Sequence, residues 1–445
     1  MFAQFPKLLL GTCVILISFF LLIPRAVTAQ TRDLLYTTQS AEIDFDEAIV
    51  FTLEVPWEWS KPESVTLFYG LQHRSLRAFA YANSDITGDY LNASYSLRVD
   101  DLLLPGTLVE FYWRIITVDG EQLVSQPSRL SYDDPSLPWS FLSDESIEIV
   151  WHSGGVEFGE RVLSASNAAL ERLEDNFGVG LRYQTRIVIY EDQSAMRKAL
   201  GGATGEWVGG QAISPFNIIV LAATPSTLEL DILLAHELTH IVIDQAADNP
   251  FTVLPSWIHE GLATINESTG KPRFNYQRIV SDALDRGGLL SLQGLTGSFP
   301  ASSERAILAY AQSHSLLTYV TNRYGSDSIR RLLQAYRHGV VDDEAVRSAI
   351  GVNLDQLEKD WLEYLERRTQ ATKEGQLGKS LLPRPDNVKG DEGLSRTPGG
   401  LELQTADGRT DVIFGSFGLV LITVISSCIA VVILLIWFAQ TGKEV

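Results

Sequence analysis

The sequence predicts a multidomain chain: an all-β sandwich, an α+β domain with a helical subdomain, and a transmembrane helix. Three observations predict this order. Strand-like runs fill the first third of the chain, strands alternate with helical patterns from Ile147 before giving way to helices alone, and 412–438 is apolar or small throughout. The resulting division is 1–29 signal peptide, 30–144 sandwich, 145–368 α+β domain, 369–411 disordered stalk, 412–438 transmembrane helix and 439–445 short tail.

In the first domain, Ile43 to Val55, Ser64 to Tyr69, Ala93 to Val99 and Leu108 to Val118 partly alternate and are rich in β-branched and aromatic residues, the pattern of half-buried strands. Asp119-Gly120 supplies a hairpin turn. Phe111, Tyr112 and Trp113 are expected to pack in the core and on the sheet face. The segment PGTLVEFYWRIITVDG with Ser125-Gln-Pro127 resembles the late strands of fibronectin type III or immunoglobulin-like modules, which implies a spacer or docking domain.

Asp133-Asp-Pro-Ser-Leu-Pro138 reads as the boundary region. Beyond it, Ile147 to His152 and Thr185 to Tyr190 read as strands. Phe158 to Phe177 and Gln193 to Leu200 read as helices, and Trp207 to Ile213 with Asn217 to Leu221 as a strand pair. Further helices are expected over Phe274 to Arg286, Ser303 to Arg323, Ser326 to Arg337, Asp343 to Ile350 and Leu354 to Arg368. Gly287-Gly288, Gly325, Gly339 and Gly351 punctuate them. Thr369 to Asp411 is polar and lacks aromatic residues, so it cannot bury enough apolar surface to fold alone.

The two ends read as membrane signals. Met1 to Ala29 combines Lys7, an apolar run from Leu8 to Ile23 and a small-residue cleavage site at Ala26-Val-Thr-Ala29, the layout of a secretory signal. An uncleaved anchor is the alternative. Val412 to Phe438 is long enough to cross a bilayer, which predicts a single-pass cell-membrane protein with its folded part extracytoplasmic. Both cysteines, Cys13 and Cys428, lie inside these apolar segments, excluding a disulfide framework, a cysteine metal site and a thiol nucleophile. The formal charge of −20 leaves no broad basic surface to replace phosphate counterions, so a nucleic-acid partner is excluded.

The chemistry concentrates between Ser226 and Glu267. His236, Glu237 and His240 stand in the order H-E-x-x-H, and Glu260 follows in Trp257-Ile-His-Glu-Gly-Leu-Ala263. On a helix, positions i and i+4 share a face, so both imidazoles can reach one metal ion. Ser226 with Glu229 fits a capping box at the helix start. Leu228, Ile232, Ala235, Leu238, Thr239 and Val242 give a mostly apolar face and predict a buried helix. Asp248-Asn-Pro250 ends it, and Pro255-Ser256 opens a second helix that returns Glu260 to the histidines. Two imidazoles, one carboxylate and an open position form the ligand set of a catalytic zinc site.

HELTH and WIHEGLA, with nineteen residues between His240 and Glu260, resemble the motifs of gluzincin zinc peptidases. Ile147 to Arg367 is similar to the peptidase MA-like domains of bacterial surface proteins. The likeness takes in Glu206-Trp-Val-Gly-Gly-Gln-Ala212 and Ala309-Tyr-Ala-Gln-Ser-His314. It implies a thermolysin-like catalytic fold with one Zn2+ on His236, His240 and Glu260, Glu237 as general base, and a peptide or protein substrate. Gluzincins often supply an oxyanion donor from a later helix, which makes Tyr310 the first candidate and His314 the second.

Substrate strand addition, by the same resemblance, falls to Trp207 to Ile213 or Asn217 to Leu221. Asp244, one turn past His240, is a candidate to orient a ligand imidazole, while His259 is expected to point away from the metal. No amine-anchoring motif of the aminopeptidases is present. An inactive binding protein on a peptidase scaffold and a zinc hydrolase of a non-peptide bond are the alternatives. Asn92-Ala-Ser94 and Asn266-Glu-Ser268 have the form of glycosylation sequons.

Overall fold

A computed structural model of the chain describes residues 31–380 other than 35, 100–102, 202–208, 224–226, 268–274 and 300–302. The signal segment, the apolar stretch 412–438 and Ser226 of the expected capping box lie outside the described residues. No helix among the described residues is long and apolar enough to cross a membrane. The chain divides into two compact units. One holds the residues up to Asp100 together with Leu108–Leu130, the other Asp101–Thr107 together with everything from Ser131.

The strands up to residue 132 are β1 (Thr31–Asp33), β2 (Thr38–Asp44), β3 (Ala48–Pro56), β4 (Pro62–Leu71), β5 (Ala78–Tyr81), β6 (Asn83–Thr87), β7 (Tyr90–Arg98), β8 (Thr107–Thr117), β9 (Gln122–Val124) and β10 (Ser128–Tyr132). They form two sheets, in the orders β1-β9-β8-β4-β5, with β10 on β8, and β2-β3-β7-β6. Buried and part-buried residues alternate without a break along β8. Phe111 of β8 meets Phe51 of β3 edge-on, 5.0 Å between ring centroids, so the two sheets face each other across one core. Phe111 and Trp113 are buried there, while Tyr112 lies on the outer face, stacked on Phe68 at 5.0 Å.

Ile43 to Val55, expected as one strand, is split between β2 and β3. Asp46 adopts φ 66° and Glu47 N–H donates to Asp44 O, closing a hairpin turn that an aspartate tolerates better than most residues.

The second unit is built on a five-stranded sheet, β11 (Ser140–Ser143), β12 (Ile147–Trp151), β13 (Thr185–Tyr190), β14 (Gly210–Ile213) and β15 (Ile218–Ala222), ordered β11-β12-β13-β15-β14. The inner strands run parallel and both edges antiparallel. This unit resumes at Ser131, just before the expected boundary segment 133–138, so the residues up to 144 assigned to the sandwich by sequence pattern lie with the sheet. The reason is pairing: β11 belongs to this sheet, and Arg186 of β13 reaches back to Asp133 with bonds of 3.0 and 2.9 Å. Its Nε lies 2.7 Å from Glu148. A buried guanidinium so held keeps the preceding segment with this unit.

The helices are α1 (Gly155–Phe177), α2 (Gln193–Ala199), α3 (Thr227–Ala246), α4 (Ser256–Asn266), α5 (Tyr276–Asp285), α6 (Ser303–Tyr324), α7 (Asp327–Arg337), α8 (Asp342–Ile350) and α9 (Leu354–Ser380). α9 runs past Arg368 into the expected stalk. Its continuation is rich in Gln, Ala, Lys and Glu, residues that favour helix, whereas the two glycines there each disfavour it by about 1 kcal/mol. Residues 381–411 lie outside the described residues.

α3 sits between two cores. Leu230, Leu234, Leu238 and Ile241 pack on the sheet with Ile187, Ile189 and Val162. Val242 and Ile243 face the helical subdomain with Trp257, Leu316 and Leu317. Apolar residues therefore ring this helix, as expected of one buried on all sides.

The approach of α4 to α6 depends on Gly261. A Cβ built there would lie 2.6 Å from Leu317 Cδ1 and 2.7 Å from Ser313 O, and the second atom is backbone that cannot swing away. Gly261→Ala is expected to cost about 1–3 kcal/mol, the usual range for overpacking, read as a lower denaturant midpoint at unchanged slope.

Candidate metal centre

α3 and α4 bring the site together. His236 and His240 stand on one face of α3 with ring centroids 4.8 Å apart, as their i, i+4 spacing requires. α3 ends at Ala246 and α4 starts after Pro255, so Glu260 returns to the histidines. Its Oε2 lies 3.5 Å from His236 Nε2 and 3.8 Å from His240 Nε2. One ligand atom from each residue falls within 4.8 Å of the others.

Side chains of small reach lock the two helices in register. Asn266 Nδ2 donates to Thr239 Oγ1 at 2.9 Å, and Thr239 Oγ1 donates to Ala235 O at 2.6 Å. Thr264 Oγ1 ties back to Glu260 O at 2.7 Å. Asn266 is only 1% exposed, so the sequon at Asn266 is a buried structural amide and not a glycan acceptor in the folded chain.

The donor set fits a divalent cation. Zinc bonds of about 2.0–2.2 Å in a tetrahedral shell place ligand atoms about 3.3–3.6 Å apart, close to the 3.5 and 3.8 Å measured. His236 Nε2, Glu260 Oε2 and Glu237 Oε1 are all buried without a hydrogen-bond partner among the described residues. Burying such groups unpaired costs several kcal/mol, and a cation among them removes that cost.

The surroundings tilt each group differently. Burial pushes the Glu260 carboxyl up to about 7 against the opposing pull of His236 and His259. Burial pushes His236 down, but the hydrogen bond and charge of Glu267 outweigh it and raise the imidazole to about 9. His240 is held well below its ordinary value by burial and by the charges of His236 and His259. Burial raises Glu237.

Glu237 is also fixed in orientation. Its Oε2 accepts a 2.8 Å bond from Ala212 N–H on β14, which leaves Oε1 as the unpartnered oxygen. β14 is the edge of the sheet and β15 an inner strand. Of the two stretches considered for substrate addition, only Gly210–Ile213 lies at a sheet edge among the described residues. Trp207 lies outside the described residues.

Tyr310 and His314 on α6 part company. The Tyr310 hydroxyl is buried without a hydrogen-bond partner, its ring edge-on to Phe299 at 5.4 Å. Burial raises its pKa well above the ordinary value, reinforced by Glu260, Glu237 and Glu267. His314, one turn on, lies against Tyr276 at 4.9 Å. Burial lowers its pKa against the opposing pull of Glu267.

Two neighbours of the histidines differ from expectation. Glu267 accepts from His236 Nδ1 at 2.6 Å, an interaction absent from the sequence reading although Glu267 lies seven residues past Glu260, two turns along the same face. His259, expected to point away, turns its Nδ1 to within 3.3 Å of His240 Nδ1. Asp244 bonds His259 Nε2 at 3.0 Å and so reaches His240 through a second imidazole.

Residues 165–367 match the family model of the Peptidase MA superfamily. This stretch spans a little under half of the chain and contains His236, Glu237, His240, Glu260, Glu267 and Tyr310. No curated protein matches the chain. Among solved structures, aminopeptidase A from Legionella pneumophila, in complex with aspartic acid, is 12% identical, with 74% of this chain on 49% of that one at a TM-score of 0.33. An aminopeptidase N family protein from Idiomarina loihiensis is 10% identical, covering 71% of this chain and 74% of that one at a TM-score of 0.34. The chain spans about half the length of the Legionella protein.

Within the matched stretch, Glu267 meets His236 Nδ1 at 2.6 Å, and His236 Nε2 lies 3.5 Å from Glu260. Glu267→Ala is expected to weaken zinc binding about 10–100-fold, the usual effect of losing a ligand's supporting partner, measured by competition with a chelator.

Proposed function

We propose that the chain is a membrane-anchored, extracytoplasmic zinc metallopeptidase. The observation that carries the reading is the convergence of three unpartnered buried atoms, His236 Nε2, Glu260 Oε2 and Glu237 Oε1, with His240 Nε2 beside them. Two imidazoles and a carboxylate would hold the metal, and Glu237 is left free to handle a proton. The match to the Peptidase MA superfamily supports the reaction class. Membrane anchoring rests on the apolar stretch 412–438.

Bound zinc supplies Lewis acidity and a lowered pKa for coordinated water. Glu237 takes on Oε1 the proton of the water whose oxygen attacks the scissile carbonyl carbon. It then delivers that proton to the amide nitrogen as the C–N bond breaks, giving a carboxylic acid and an amine; the acid's remaining water proton passes to the amine, leaving a carboxylate and an ammonium. Its raised pKa suits a base that must also return the proton. The Ala212 bond keeps Oε1, not Oε2, in play.

Tyr310 donates a hydrogen bond to the oxygen that gains charge as the carbonyl is attacked. Its upward-shifted pKa keeps the phenol protonated at neutral pH. An extended substrate lies along β14 by strand pairing. Gly209 O faces β15, where it accepts from Ala222 N–H, so by alternation Gly210 faces outward and offers its backbone to the substrate.

Cleavage profiling of a proteome with the purified protein tests this reading. Glu237→Gln is expected to lose cleavage by about 10²–10⁴-fold while zinc content by elemental analysis stays unchanged. Retained turnover would remove Glu237 from the mechanism. Tyr310→Phe is expected to lower kcat about 10²–10³-fold with KM little altered. A rise in KM alone would make Tyr310 a binding residue.

A further inference from the structure

The two histidines that face the candidate metal position are supported in unlike ways. His236 meets a carboxylate directly, with Nδ1 2.6 Å from Glu267 Oε1. His240 meets another imidazole, with its Nδ1 3.3 Å from His259 Nδ1 and the rings 5.4 Å apart, tilted by 39°. His259 Nε2 in turn lies 3.0 Å from Asp244 Oδ1. Asp244 and His240 come from α3 and His259 from α4, so the chain of contacts crosses the helix pair that forms the site.

Proton bookkeeping gives this chain one consistent direction. An imidazole that presents Nε2 to a cation carries its hydrogen on Nδ1. His240 Nδ1–H must therefore donate, and His259 Nδ1 must accept. A neutral His259 accepting there carries its own hydrogen on Nε2, the atom that faces the Asp244 carboxylate. Each of the three side chains then has one role, and Asp244 fixes which tautomer His259 presents.

We infer that His259, oriented by Asp244, is a positioning residue for His240, holding that imidazole with Nε2 aimed at the metal. It is not a ligand: its two ring nitrogens face His240 and Asp244. The inference rests on the metal-site reading above. It assigns to the residue just before Glu260 the support of the opposite helix's histidine, so α4 both supplies one ligand and aligns another.

Zinc affinity of the full-length protein, measured by chelator competition, tests the inference, together with the visible spectrum of the cobalt-loaded form. Three variants are compared. His259→Phe keeps a ring but no acceptor, His259→Asn keeps an acceptor oxygen for His240 Nδ1–H, and Asp244→Ala alters a partly exposed side chain that the fold can lose. Expected are a roughly 10–100-fold loss of zinc affinity for His259→Phe, partial recovery in His259→Asn, a smaller loss for Asp244→Ala, and shifted cobalt bands in each.

Should His259→Phe fail to fold, Asp244→Ala and His259→Asn still decide the matter. Zinc bound by the wild type and by every folded variant with equal affinity and unchanged cobalt bands would overturn the positioning role alone. Equal losses in His259→Phe and His259→Asn would overturn the acceptor role. No zinc binding by the wild type would overturn the metal-site reading and this inference with it.

Discussion

The second unit depends on the juxtaposition of α3 and α4, which buries two imidazoles and two carboxylates within a few ångströms of each other. Charged groups so placed are costly unless each is matched, and the match is made atom by atom. Glu267 satisfies one nitrogen of His236, His259 one nitrogen of His240, and the Ala212 amide one oxygen of Glu237. The atoms left over on His236, His240 and Glu260 lie within 4.8 Å of one another, a grouping that could hold a cation.

Much of the rest of the domain keeps that juxtaposition in place. Gly261 lets α4 approach α6, Asn266 and Thr239 tie α4 to α3, and the apolar residues of α3 fill the space on both its sides. The sheet contributes chemistry as well as support. Its strand β14, at a sheet edge among the described residues, donates the amide that orients Glu237. Glu237 and the edge strand β14 are thus coupled through a single hydrogen bond.

The fold holds without covalent staples. Neither cysteine lies among the described residues, so both units rely on apolar cores and buried polar pairs. In the first unit the Phe51 and Phe111 contact joins the sheets. In the second, Arg186 gathers Asp133 and Glu148 and keeps the segment before β11 with the unit it serves.

Local pattern determined a great deal. Partial alternation marked β8, glycines marked the helix ends, and the spacing of His236, His240 and Glu260 foretold that these three side chains meet, because helix and strand periods are properties of neighbouring residues. What depended on folding back could not be read that way. Asp46 turned an apparent single strand into a hairpin, Arg186 moved the domain boundary, and the packing of α4 on α3 turned His259 toward His240 and Glu267 toward His236. Sequence settled which side chains could bind a metal, while tertiary structure decided which ones orient them, since hydrogen bonds between helices form only where packing brings their faces together.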